Sequence, residues 1–425
     1  MKKKAKDFTV IGFMIFSLFF GAGNLIFPPK LGQNVGNHFY LGIIGFCLTG
    51  VLLPMLGLLT CMKCNGNFEE LCIKCGKNFT KIFSICLVLL LGPLIALPRA
   101  AAITYSIAIK HNFPSINLIE FLIVFLLLLY FLVVKKSGVI EIIGKYLTPI
   151  LLIVIFAIII KGIITPISGF SRNIIPNDFS LSLQDGYQTM DTIGSVLFAS
   201  IVTASIKSKG YKNNEVFGVI LKSSTVAIIL LCAVYGGLVY LGSRTGNLAN
   251  GFSDSDLLLF ISDSTLGKLA VIAIEIVLAI GCLASSVGLL AASGSFFVRI
   301  SNNKIKYNVA IAAILVVTGI TASIGLTNII SVSTVVLNIV YPATIVVVVL
   351  NIFRKFIVSH LVYKICTYIT LIISFLEAFP KQFGFITRYL PLSSQGFGWV
   401  LPFIIILILS NYFLKFSNYK VNINK

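Results

Sequence analysis

Charged side chains are scarce. Asp, Glu, Lys and Arg make up 11% of the 425 residues, while hydrophobic residues make up 57%. An ordinary soluble domain carries about 25% charged residues. A chain this poor in charge cannot cover so much apolar side chain with a polar surface, which excludes a soluble fold and leaves a surface facing lipid. Histidine is scarcer still. His38, His111 and His360 are the only three. They fall in loops or at the ends of apolar runs, and none stands in a triad or metal-ligand spacing, so no enzyme signature is present. The apolar runs lack the polar-in, apolar-out alternation of a membrane-spanning β-barrel. No linker, low-complexity tract or soluble domain separates them. No basic patch is interleaved with stacking aromatics, so the formal net charge of +19 does not point to nucleic acid.

What the chain has instead is length in its apolar runs. A helix needs about 20 apolar residues to cross the hydrocarbon core. Runs of that order recur at 8–33, 39–62, 80–109, 116–134, 139–164, 187–206, 214–241, 267–298, 307–325, 329–352, 362–378 and 394–414. The fold class expected is an all-α polytopic membrane protein of about twelve transmembrane helices, forming one domain over 1–425. The basic residues lie in alternate loops, among them Lys2, Lys63, Lys81, Lys135, Lys207, Arg299, Lys304, Arg354 and Lys415. The loop at 243–267 carries Asp254, Asp256 and Asp263 instead. This positive-inside pattern places both termini in the cytoplasm. Lys2-Lys3-Lys4 followed by an apolar stretch and Gly21-Ala22-Gly23 imitates a signal peptide. Cleavage is not expected, because the apolar stretch continues through Ile26 and Phe27.

Two runs are interrupted. In the first, Gly21 and Gly23 weaken the helix near mid-membrane, and Pro28-Pro29 is expected to end or kink it soon after. The sixth reads Tyr187-Gln188-Thr189-Met190-Asp191-Thr192-Ile193-Gly194-Ser195, small and polar where lipid-facing residues would stand. Runs one and six correspond if a five-helix unit is repeated with inverted topology. Interrupted helices at matching positions of two halves point to a transporter's binding site. The bland alternative is that these glycines allow close helix packing.

Four stretches carry a resemblance: Phe20–Pro29 (FGAGNLIFPP), Gly92–Ala100 (GPLIALPRA), Gly186–Gly194 (GYQTMDTIG) and Leu390–Gly396 (LPLSSQG). In these, and in their order along essentially the whole chain, it resembles the branched-chain amino acid transport system II carriers, the leucine/isoleucine/valine:cation symporter family. The resemblance implies a LeuT-type 5+5 inverted repeat (8–164 and 187–352) plus two extra helices (362–414). It also implies uptake of Leu, Ile and Val coupled to Na⁺ or H⁺, with no cofactor. One departure is visible. The family often has a glutamate about seven residues beyond the Pro-Arg pair, and here Ser106 stands at that place, which bears on the choice of coupling ion.

An amino acid substrate presents a carboxylate, an ammonium and an apolar side chain. Freed N–H groups at a half-helix N-terminus, aided by its dipole, hold a carboxylate, and freed carbonyls hold an ammonium or a sodium ion. The carboxylate is therefore assigned to the backbone of Ala22 and Gly23, with Asn24 bracing the break or contributing its oxygen. Thr192 and Gly194 form the partner surface, and Phe198 stands at the apolar end. The resemblance implies further that Ser285 and Ser286 face backbone oxygens near Ser17 and Phe20 across a sodium ion. Small hydroxyl residues also serve helix packing alone. Arg99 and Asp191 lie at similar depths, where charges pair or line a cavity. They are a candidate outer gate, or a contact that only holds helices together. Glu275 is a third intramembrane charge. Cys61, Cys64, Cys72 and Cys75 form two CxxC pairs, but their separation is short for a zinc site and the cytoplasm disfavours disulfides.

Overall fold

A computed structural model describes residues 2–21, 23–64, 66, 68–134, 148–171 and 177–423. Ala22, Lys135, Lys136 and the start of the fifth run lie outside them. The regular elements are helices: α1 (Lys2–Phe19), α2 (Gly23–Val35), α3 (Phe39–Cys47), α4 (Leu53–Met62), α5 (Lys77–Leu89), α6 (Ala96–Thr104), α7 (Leu118–Val134), α8 (Thr148–Ile164), α9 (Asp178–Gln188), α10 (Asp191–Ser208), α11 (Asn213–Ser243), α12 (Asp254–Leu266), α13 (Lys268–Ile300), α14 (Tyr307–Ala322), α15 (Leu326–Ile352), α16 (His360–Ala378) and α17 (Val400–Ile423). Seven helical stretches are long and apolar enough to cross a membrane, and five shorter apolar helices accompany them. They cover the apolar runs read from the sequence.

The first run breaks where its glycines are. α1 ends at Phe19 and α2 starts at Gly23. The prolines behave differently from expectation. Pro28 and Pro29 sit inside α2, which continues to Val35. Packing on α11 explains this. A Cβ at Gly32 would collide with the Val239 carbonyl, and one at Gly242 with the Pro29 carbonyl. Two backbones that touch so closely support α2 where proline has removed a hydrogen bond.

The sixth run breaks at Thr189 and Met190, inside the stretch 187–195, and a helix that hydropathy does not show precedes the break. The segment 165–186, which separates the fifth and sixth apolar runs, contains most of α9. Its sequence, DFSLSLQDGYQ, is too polar to read as membrane-embedded, yet Ser182 and Tyr187 are buried. Some of its polar groups find partners. Thr49 Oγ1 donates to the Leu183 carbonyl at 2.8 Å, and Ser182 Oγ donates to the Asp178 carbonyl at 2.5 Å. Gly186 lies so close to Thr49 that a Cβ would overlap it. After Gln188 the chain turns through Met190, at φ 64°, and α10 begins at Asp191.

These broken helices pack reciprocally. α1 and α2 lie along α11, while α9 and α10 lie along α3 and α4. The third run is also interrupted. The Ile95 N–H bonds to the Leu90 carbonyl, five residues back, at 3.1 Å, because Pro93 has no N–H to give and Gly92 takes a non-helical ψ of −112°. This wide turn resets the rotation of α6 and so the direction of Arg99. The loop at 243–267 holds α12, capped by Ser253 Oγ accepting from the Asp256 N–H at 3.2 Å.

Candidate functional site

The two breaks face one another. Between them, α6 and α13 close a cavity of about 50 Å³. Its polar lining includes Gly21, Gly23, Asn24, Arg99, Thr189, Asp191, Gly194 and Ser285, and its apolar lining Leu18, Phe19, Leu91, Met190, Phe198 and Leu289. Of the residues assigned to the substrate from sequence, Gly23, Asn24, Gly194 and Phe198 therefore meet here. Ala22 lies outside the described residues. Thr192 is fully buried on another face, its N–H donating to Tyr341 Oη at 3.3 Å.

Asn24 holds the junction. Its Nδ2 donates to Asp191 Oδ2 at 2.6 Å and to Tyr235 Oη, and its Oδ1 accepts from the Gly21 N–H at 3.3 Å. One amide thus ties the break in the first run to α10 and α11. The network extends into packed rings. Tyr235 stacks with Phe20 at 6.2 Å and meets Phe46 edge-on at 5.3 Å. Opposite the polar end, Phe198 meets Phe19 edge-on at 5.4 Å. The shape is an apolar wall facing a polar junction.

Arg99 and Asp191 share the cavity without forming an ion pair with each other; the charge contacts among the described residues lie elsewhere, such as Arg299–Glu69. Arg99 is 4% exposed. Its guanidinium lies 5.4 Å from the Phe27 ring centre. The residues expected to hold sodium separate. Ser285 faces the cavity, with its Oγ near the Gly21 backbone. Ser17 and Phe20 line a second, largely apolar cavity of about 230 Å³ with Thr148, Gly281 and Ala284. Ser286 lies in the wall of neither. Glu275 is remote from the breaks and accepts from Asn112 Nδ2 at 2.8 Å.

Among the described residues no group of three His, Cys, Asp or Glu is placed to hold a metal ion. Cys61 Sγ faces the Val196 carbonyl at 3.7 Å, while Cys75 Sγ faces Thr367 Oγ1 at 3.4 Å.

The sequence reading missed Tyr235. A tyrosine in the middle of an apolar run is a signal, since a buried phenol needs a partner. It also gave no role to the stretch Leu390–Gly396. This segment docks on α9. Gln184 Nε2 donates to the Gln395 carbonyl at 2.8 Å, and Ser180 Oγ donates to Gln395 Oε1 at 3.1 Å. Next to it, Phe397 meets Tyr187 edge-on at 6.2 Å, one residue before α9 ends.

Residues 4–417 match the family model described as "Branched-chain amino acid transport protein". The branched-chain amino acid permease BraB of Bacillus subtilis is 33% identical over 94% of this chain and 94% of its own length. Among solved structures, Mhp1, a nucleobase-cation-symport-1 family transporter in a closed conformation, is similar with a TM-score of 0.63. It is 10% identical over 97% of this chain and 93% of its own. A Na⁺-coupled sialic acid symporter in an outward-open state is similar at 0.59, with 15% identity over 96% and 89%. These two likenesses concern the fold alone, and the fold they share with the present chain is of the LeuT type.

Proposed function

The chain belongs to the branched-chain amino acid transport protein family, and from that premise we propose that it imports leucine, isoleucine and valine together with sodium ions. The same reading puts it in a bacterial cytoplasmic membrane with both termini inside. It is a multi-pass membrane transporter and not an enzyme; its relatives are permeases and carriers. The observation that carries the substrate reading is the cavity between the two helix breaks. Leu18, Phe19, Phe198 and Leu289 suit a branched aliphatic side chain, and the polar junction at Gly23, Asn24 and Asp191 suits a zwitterionic head. Backbone N–H groups at the start of α2 contact the carboxylate.

Sodium prefers oxygen ligands, and Ser285 Oγ lies 3.9 Å from the place a Cβ on Gly21 would occupy, beside the end of α1. Ion and substrate then stabilise compatible states of one carrier, which is all that coupling requires. One observation favours protons instead: Asp191 is a carboxylate in the cavity wall.

Labelled leucine uptake into proteoliposomes under separately imposed Na⁺ and proton gradients tests both. Accumulation driven by the sodium gradient, and competed by isoleucine and valine, is expected. Accumulation driven only by the proton gradient would replace sodium by protons. Ser285→Ala is expected to raise the half-maximal sodium concentration roughly tenfold, the loss of one ligand to a cation. Ser286→Ala should leave it unchanged.

A further inference from the structure

Two helix N-termini open onto the cavity, and they are furnished differently. α10 begins with Asp191, whose negative charge complements the positive end of the helix dipole. α2 has no acidic residue in its first turn. The Asn24 N–H at this end already donates to the Gly21 carbonyl at 3.2 Å, so what the end offers a ligand is chiefly the positive end of its dipole. The side chain that approaches this end is instead a cation. Arg99 Nη2 lies 3.1 Å from the place a Cβ on Gly23 would occupy. Two positive ends therefore converge at one point inside a membrane protein.

No ion pair among the described residues neutralises them directly. Arg99 is 96% buried by exposure, being 4% accessible, and its Nη1 has no hydrogen-bond partner. Asp191 lines the same cavity but does not bridge to Arg99, and its Oδ2 accepts from Asn24. The Phe27 ring at 5.4 Å gives the guanidinium a favourable face, but a ring cannot fill its in-plane N–H groups. A buried guanidinium in a membrane is normally paired or lines a cavity that supplies its partner. A planar carboxylate is the anion whose two oxygens match the guanidinium fork.

We propose that Arg99, aided by the positive end of the α2 dipole, receives the substrate's carboxylate, and that Asp191 faces its ammonium. The cavity is a dipole, cationic where α2 starts and anionic where α10 starts, and a zwitterion aligned with it meets opposite charges at both ends. The proposal rests on the reading of the protein as an amino acid carrier and adds a chemical criterion to it. The substrate class is the free α-amino acid; amides and alcohols of the same side chain lack the group Arg99 needs.

Binding to the purified full-length carrier tests this with leucine and leucinamide, which differ at the carboxylate. The wild type should prefer leucine by about tenfold or more, the scale of a charge-assisted hydrogen bond. In Arg99→Gln the preference should fall to near one, with leucine weakened to the level of leucinamide. The ratio within one variant does not depend on the fraction folded. If the Gln variant cannot be purified, Arg99→Lys is read instead. It keeps the charge but not the fork, so the preference should fall several-fold. Wild-type leucine affinity and preference in the variant read would overturn the proposal, as would equal binding of leucine and leucinamide by the wild type. A wild type that binds none of leucine, isoleucine and valine would instead remove the functional reading on which the proposal stands.

Discussion

Asn24 carries more of the site than any other single side chain. Its amide hydrogens go to Asp191 and Tyr235, and its oxygen accepts from Gly21. Asn24→Leu keeps the volume but leaves the Asp191 carboxylate without that donor. The cost of an unsatisfied buried group is about 1–3 kcal/mol, and more when it is charged. The variant is expected to lose leucine uptake and melt earlier in detergent. Tyr235→Phe removes one partner only and should cost about 1 kcal/mol. Equal melting temperatures for Asn24→Leu and wild type would contradict the bracing role. Gly23, Asn24, Gly194 and Ser285, which line the cavity, could be picked out as candidates in the sequence because small and polar residues stand out in apolar runs; Phe198 has no such signal. Thr192, Ser286 and Ser17 share that chemistry yet face elsewhere. Each step along a helix turns the side chain by about 100°, and composition does not reveal which face looks inward. The pairing considered for Arg99 and Asp191 rested on similar depth alone, and depth does not fix distance.

At the scale of elements, the glycines at 21 and 23 announced the first break. The second break falls inside the stretch 187–195 read as interrupted, but the helix before it, α9, was not read, because it is polar and hydropathy does not recognise a helix of that composition. The wide turn at 90–95 was likewise illegible as a turn, although Gly92-Pro93 sits at its centre. The prolines of α2 misled for the opposite reason. Their local effect is overridden by contact with α11, whose Gly242 lies against the Pro29 carbonyl. Gly242→Ala must push these backbones apart and is expected to lower the yield of folded protein and its melting temperature. Gly218, on the same helix, has open space at its Cβ position. Gly218→Ala should be neutral or stabilising by up to about 1 kcal/mol, the gain in helix propensity. Similar behaviour of the two variants would show that the α2–α11 contact is not tight in the membrane.

At the scale of the molecule, the apolar runs and their number were legible from composition and length, and the reciprocal packing of broken helices was not. Orientation still rests on charge. Lys207, Lys209 and Lys212 fall at one end of α10 and α11, whereas Asp254, Asp256 and Asp263 fall in or beside α12 at the other end of α11. In a cysteine-free background, a cysteine at 250 should be labelled from outside in intact spheroplasts, and one at 210 should not. The reverse pattern would invert the direction in which the cavity is reached from the cytoplasm. The docking of the stretch 390–396 on α9 has an optical consequence. The chain has a single tryptophan, Trp399, buried beside Phe397, which touches Tyr187 just before the second break. Intrinsic fluorescence excited in the indole band therefore reads one place only. Its emission follows the seat of the last helix against the first half of the broken sixth run, and is silent about the rest of the protein.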